Sequence, residues 1–214
     1  MLVADAARRV LSSASLGGGL GRASAWYNAH VRHDAPLDPA GPAAVLARRA
    51  AERGLACDTV AMMTGAAMTS LRLATAEIEA ARFTLVLTAG LANARTAGDT
   101  AEMRSLRASP GPAGTINVAL IADVALTDAA LVETVATIAE AKAAALQQAG
   151  IKSPVSGRPA TGTGTDATAV FARADGAPIE YSGKHTLVGE TIARLVMTAL
   201  ASSIAGAEEA RRAG

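Results

Sequence analysis

Two short blocks concentrate the residue types that do chemistry. Ser156 to Asp166 reads SGRPATGTGTD, and Gly183 to Glu190 reads GKHTLVGE. They supply Asp166, His185 and Glu190 as candidate proton carriers and Ser156, Thr163 and Thr165 as candidate hydroxyls. Backbone amides around Gly162 and Gly164 can form an anion-binding nest. Thr88 and Thr115 add hydroxyls, and the carboxamides of Asn93 and Asn117 can hold an oxyanion. Hydrolysis of an unactivated amide needs a generated nucleophile, a stabilised oxyanion and a proton for the leaving amine. The set contains a candidate for each. Each residue also has a plainer role: Thr186 capping a helix, Glu190 in its first turn, Asp166 tying a turn. Their density in so alanine-rich a chain favours function for the set.

Nucleotide motifs fail on spacing. Gly162-Thr163-Gly164 lacks the third glycine of the dinucleotide fingerprint, and it precedes a strand where the fingerprint follows one. Gly183-Lys184 lacks the first glycine of a P-loop, because position 178 is Pro178, and His185 stands where Ser or Thr is required. His30 and His33 on a strand running into a loop face opposite sides, so no metal site is expected. Gly114-Thr115 resembles the start of a self-cleaving nucleophile hydrolase, but the sequence is one unbroken chain. Cys57 has no neighbouring base and reads as a small buried hydrophobe.

Composition bounds the rest. Apolar residues make up 50% of 214 and aromatics 2%, so the core is aliphatic. Net charge is +1, from 20 basic and 19 acidic residues, with no basic stripe for nucleic acid. A single cysteine excludes an internal disulfide and fits a reducing compartment. The most apolar run, Leu195 to Ala207, is shorter than a membrane span, and the N-terminus lacks the signal-peptide pattern. The expectation is a cytoplasmic protein with no membrane or nucleic-acid partner.

The elements that must position these residues follow from periodicity. Strands are expected over Arg9–Ser15, Ser24–Val31, Thr59–Met63, Arg82–Thr88, Gly114–Ala122 and Ala167–Ala172, with Leu71–Glu79 pairing Arg82–Thr88 as a hairpin or, by its alanine content, forming a helix. Helices are expected from Asp38 or Gly41 to Gly54, from a Thr127 or Asp128 cap to Gln148, and from a Thr186 cap to about Arg212. Gly17-Gly18-Gly19 is a turn or a close approach to a ligand. Together they predict one α+β domain over 1–214: a mixed, largely antiparallel sheet covered by three long helices.

The chain also resembles the adenosylcobinamide amidohydrolase family. The resemblance is carried, in order, by Gly17-Gly18-Gly19-Leu20 with Asn28, Thr64, Thr88-Ala89-Gly90-Leu91-Ala92-Asn93-Ala94, Gly114-Thr115-Ile116-Asn117, Glu140-Ala141-Lys142, Ser156 to Asp166, and His185-Thr186 with Gly189-Glu190. Gly65 and Lys184 depart from the pattern. The resemblance implies an enzyme that removes the aminopropanol arm of adenosylcobinamide by amide hydrolysis. A corrinoid is then the substrate, with no separate cofactor and no metal site. The Asp-x-His-x-x-Gly signature of cobalt-ligating proteins is absent, so no histidine bond to cobalt is expected. The expected catalytic set is Asp166, His185, Glu190 and Thr165. The expected substrate-binding set is Gly18, Gly19, Asn28, Thr64, Thr88, Asn93, Asn117, Ser156, Arg158, Thr163 and Gly164. Whether the chain self-associates is left open.

Overall fold

The computed structural model describes residues 1–32, 38–102, 105 and 115–213, the side chains of 208–213 excepted. The expected architecture is present. Seven strands form one mixed sheet: β1 (Leu2–Ser12), β2 (Gly19–His30), β3 (Thr59–Thr64), β4 (Arg72–Ile78), β5 (Ala81–Ala89), β7 (Ile116–Ala125) and β9 (Ala167–Arg173). Their order is β3-β2-β1-β9-β7-β5-β4. Only β2/β3 and β7/β9 are parallel; the other four pairings are antiparallel. A separate two-stranded ribbon joins β6 (Ala94–Arg95) to β8 (Gly162–Thr163). The helices are α1 (Gly41–Ala51), α2 (Asp128–Gln148) and α3 (Leu187–Ala213).

Alternation along the strands divides the core. Phe83, Leu85 and Leu87 of β5 and Val118 and Leu120 of β7 turn toward α2 and α3, where they meet Leu131, Ile138, Ile192, Val196 and Leu200. The opposite face gathers Val10, Trp26, Val60, Met62, Val86, Ala119 and Phe171 into a second cluster. α1 covers Tyr27, Ala29 and Ala61 with Leu46 and Ala50. By length and composition the segment Leu187–Ala207 of α3 is apolar enough to cross a membrane. In the fold, its stripe Ile192, Val196 and Leu200 is fully buried against α2 and the sheet.

The sheet curls on itself. Asn28 lies on β2 and Thr88 on β5, four places apart in the strand order, yet Asn28 Nδ2 donates to Thr88 Oγ1 at 2.9 Å. Asn117 of β7 donates to Met63 O of β3 at 2.8 Å. The β2–β3 end therefore folds back across the face that carries the second cluster.

Three details differ from the expectation. β1 begins at Leu2, because a register irregularity between Val3 and Arg8 breaks the alternation there. Cys57 is exposed on the turn before β3 and is not a core residue. The sequence puts Val132 with Leu131, Val135, Ile138, Ala145 and Leu146 on one side of α2, but Val132 is 59% exposed and the buried stripe runs through Leu131, Thr134, Ile138, Lys142 and Ala145. His33 and the run Pro110-Gly111-Pro112 lie outside the described residues.

Candidate functional site

Asp166 stands where three elements meet. The Thr163-Gly164-Thr165-Asp166 turn links β8 to β9 and puts Asp166 one residue before Ala167, which pairs with Asn117 of β7. Asp166 Oδ1 accepts from the backbone N–H of Ile116 at 2.9 Å and from the Thr163 hydroxyl. Oδ2 accepts from Lys142 Nζ of α2 at 2.8 Å. Both side chains of this ion pair are largely enclosed, Lys142 at 8% and Asp166 at 15% exposure. A Cβ on Gly162 would lie 2.7 Å from Asp166 Oδ2, so the carboxylate itself requires glycine there.

A chain of side chains leads away from this group. The Thr115 hydroxyl donates to Thr165 O at 2.6 Å and lies 3.3 Å from Asn117 Oδ1. Asn117 Nδ2 donates to Asn28 Oδ1 at 2.8 Å, and Asn28 donates on to Thr88. Asn117, Thr88 and Thr115 are almost wholly buried. Such a network is stabilising only when its members are satisfied, and here each buried hydroxyl and amide has a partner. Thr64 ends β3 nearby, its hydroxyl accepting from Ala66 N at 3.1 Å.

Asn93 is the exception. It precedes β6, and Gly164 N donates to its backbone carbonyl at 3.3 Å. Its side-chain Oδ1 is buried with no hydrogen-bond partner. Leaving a buried acceptor unpaired costs about 1–3 kcal/mol. The next residue, Ala94, pairs with Thr163, so this enclosed acceptor lies one strand from that hydroxyl.

The first half of the 156–166 block has a different task. The Asp99 carboxylate accepts from Ser153 Oγ, from Thr96 N at 2.8 Å and from Arg158 at 3.0 Å. Its side chain is only 3% exposed. Hydrogen bonds from Ser153 and Ser156, then Thr96 N, hold its pKa well below the usual aspartate range. Thr96 Oγ1 also donates to Pro159 O, and Ala97 N to Thr161 Oγ1, both at 2.9 Å. Ser156 and Arg158 thus belong to a clamp that holds the β6–β8 ribbon, and through it Thr163. A depressed carboxylate pKa contributes stability above the unfolded value near 3.8, lost as pH falls through the lower folded value. Asp99→Asn is therefore expected to flatten the fall of melting temperature below about pH 4. A parallel fall in wild type and variant would remove this role.

The other expected residues stand apart. Gly18 and Gly19 form the β1–β2 turn. A Cβ on Gly18 would meet Ala14 O at 2.4 Å, and Gly19 has φ +98°, so the close approach is to the chain's own backbone. Gly17 lies against Thr59 at the start of β3, about 16 Å along that strand from Thr64. His185 is exposed on the turn before α3. Glu190 is exposed and ion-paired with Arg194 at 2.8 Å. That turn is tied to α2 at two points: Glu133 accepts from Ser182 N at 2.7 Å, and Lys184 pairs with Glu140, two residues before Lys142. Gly189 fits there because a Cβ would meet Gly183 O at 2.2 Å.

A cavity of about 910 Å³ opens at the other end of the curled face, lined by Trp26, Phe171, Arg8, Arg22, Arg82 and Asp123 among others. The Val10–Val60–Met62–Ala119 cluster separates it from Asp166, and none of the expected site residues lines it. Among the described residues no group of three His, Cys, Asp or Glu side chains is arranged to hold a metal.

Sequence reasoning missed two members of this constellation. Asp99 was not singled out, and Lys142 stood only within a matching motif. The signal for Lys142 was a lysine on the apolar face of α2, four residues after Ile138 and four before Leu146.

A family model, CbiZ, adenosylcobinamide amidohydrolase, matches residues 1–212. The chain belongs to this family. The family is described as that of adenosylcobinamide amidohydrolases. The chain is also 43% identical over 84 residues to the uncharacterized protein MJ1613 of Methanocaldococcus jannaschii, which covers 39% of this chain and 32% of that protein. Among solved structures, the PH0078 protein of Pyrococcus horikoshii OT3 aligns at 18% identity with a TM-score of 0.31, over 69% of this chain and 44% of that one. That likeness is too low to carry an argument. For a CbiZ family member, the amide-hydrolysis chemistry expected of the Asp166 turn and the family's reaction are of the same kind.

Proposed function

We propose that this chain hydrolyses the aminopropanol amide of adenosylcobinamide, releasing adenosylcobyric acid and 1-amino-2-propanol, as a cytoplasmic enzyme of cobamide salvage. The observation that carries the reading is the Asp166 carboxylate, bonded to the Thr163 hydroxyl on one oxygen and to the Lys142 ammonium on the other. One strand from Thr163 lies the unpaired Asn93 Oδ1. A hydroxyl and a base on one turn, with a fixed cation from α2, meet the demands of acyl transfer.

Thr163 Oγ attacks the amide carbon as its proton passes to Asp166 Oδ1. Asp166 loses its charge in that step, so the Lys142 ammonium is left facing the oxyanion that has formed. Asn93 Oδ1 accepts the substrate amide N–H and orients the scissile bond. The C–N bond then breaks, and the proton on Asp166 moves to the departing amine. Water attacks the resulting Thr163 ester with Asp166 again taking its proton; the bond from the acyl carbon to Thr163 Oγ then breaks, Asp166 returns that proton to Thr163 Oγ, and the corrinoid leaves as the acid. Net charge at the buried pair never departs from neutral by more than one unit. His185 and Glu190 carry no step in this scheme, and Thr165 acts through its carbonyl, which positions Thr115.

The test is incubation with adenosylcobinamide followed by mass analysis of the corrinoid and assay of free 1-amino-2-propanol. Equimolar acid and amine are expected. A shift in corrin absorbance without release of amine would identify a binding protein and sink the proposal.

A further inference from the structure

The free edge of the sheet carries an apolar corner. β4 pairs only with β5 in the sheet order, and its residues alternate between two faces. Arg72, Ala74, Ala76 and Ile78 are half-buried, and Ile78 packs with the α2–α3 core. The alternate residues lie on the curled face: Leu73 is opposite Val86, and Leu71 precedes the Arg72–Leu87 pair and so falls opposite Thr88. Leu71 is 47% exposed, Leu73 68%, and Met68, on the short 3-10 turn before β4, 47%. Their neighbours Val86 and Thr88 are buried. The corner is continuous with the polar network, because Thr88 accepts from Asn28, which accepts from Asn117.

We infer that the Met68–Leu71–Leu73 corner seats the corrin ring of the substrate, with Asn28 reading a carboxamide on its rim. This rests on the proposed hydrolysis and adds to it a place for the ring. The reacting amide of a cobinamide lies on an arm that leaves the rim, so the ring must sit to one side of the catalytic carboxylate. Its face needs apolar contact, and its rim needs a group that both donates and accepts. Among the described residues the Asn28 side chain bonds only Thr88 and Asn117, which leaves one N–H and one lone pair. The sheet supplies the separation. Asp166 adjoins Ala167, which pairs with Asn117, which pairs with Thr88, which stands beside Leu71. Three strand-to-strand steps make about 14 Å. The 910 Å³ cavity has no such connection to Asp166, since buried core lies between them.

The test is the double variant Leu71→Glu with Leu73→Glu. Both side chains already face water, so circular dichroism should be unchanged; should it change, Leu73→Ala carries the same comparison. Kd is read by corrin absorbance, and steady-state kinetics give KM and kcat. Kd and KM are expected to rise about tenfold or more, which needs only a fraction of the contact two leucines provide. kcat should fall far less. If wild type hydrolyses adenosylcobinamide while the variant keeps its Kd and KM, the seat is overturned and the activity stands. If wild type neither binds nor hydrolyses the corrinoid, the underlying reading fails. If light scattering finds a dimer that the variant splits with Kd unchanged, a second copy covers the corner and the inference is overturned.

Discussion

Asp166→Asn should reduce kcat on adenosylcobinamide by roughly 10²- to 10⁴-fold, the span a positioned general base contributes. The substitution keeps the side-chain shape, so the hydrogen bond from Ile116 N survives on the remaining oxygen. What it removes is the site that takes the Thr163 proton and the charge that faces Lys142. Binding should persist, because in this scheme the ring is held some strands away. The expected result is therefore a loss in kcat with Kd retained, measured by single-turnover mass analysis and corrin titration. Thr163 separates the two ways of using the carboxylate. Thr163→Ser keeps a hydroxyl at the same place and should retain turnover, whereas Thr163→Val should behave like Asp166→Asn. Turnover by Thr163→Val near the wild-type rate would move the attack to water, and turnover by Asp166→Asn near that rate would remove the turn from the mechanism.

The strands and helices were legible because hydrophobic period decides them. The β5 run FTLVLTA and the long stripe of α2 need only local reading. The polar residues around Asp166 were legible by contrast with an alanine-rich background. What sequence could not show is the curl that brings Asn28 to Thr88 and Asn117, because no local pattern encodes contact between strands four places apart. Ser156 and Arg158 were read as ligand contacts, yet they face Asp99, which lies more than fifty residues earlier in a loop of ordinary composition. His185 and Glu190 share one short stretch with Asp166 in the chain, but both are exposed, whereas Asp166 is turned inward onto Lys142 and Ile116 N. Proximity in sequence across a strand says little about proximity in a site. Lys142 was hidden for a different reason. A lysine in a helix is by default a solvated charge, and only its register against Ile138 and Leu146 marks it as buried.

That burial makes Lys142 a sensitive position for stability as well as activity. Lys142→Met fills the same channel with an apolar side chain but leaves Asp166 as an uncompensated charge with 15% of its surface in water. Removing one partner of a buried pair costs about 3–5 kcal/mol. For a chain of this size that lowers the melting temperature on the order of 10 °C. Turnover should fall with it, since the cation that meets the oxyanion is gone. Adding Asp166→Asn to Lys142→Met removes the stranded charge, so the double variant should regain most of the lost stability and none of the activity. That pattern separates the two roles of the pair: if Lys142 served the fold alone, restoring stability would restore turnover, and if the pair were solvated, neither single variant would melt early. Moderate salt should leave the coupling largely intact, because a buried pair is screened much less than a surface one. The same experiment weighs the cost of the design. A Leu or Met pair at these two positions would hold α2 to the turn as well or better, so under the proposed mechanism the work of this ion pair is on a proton and an oxyanion.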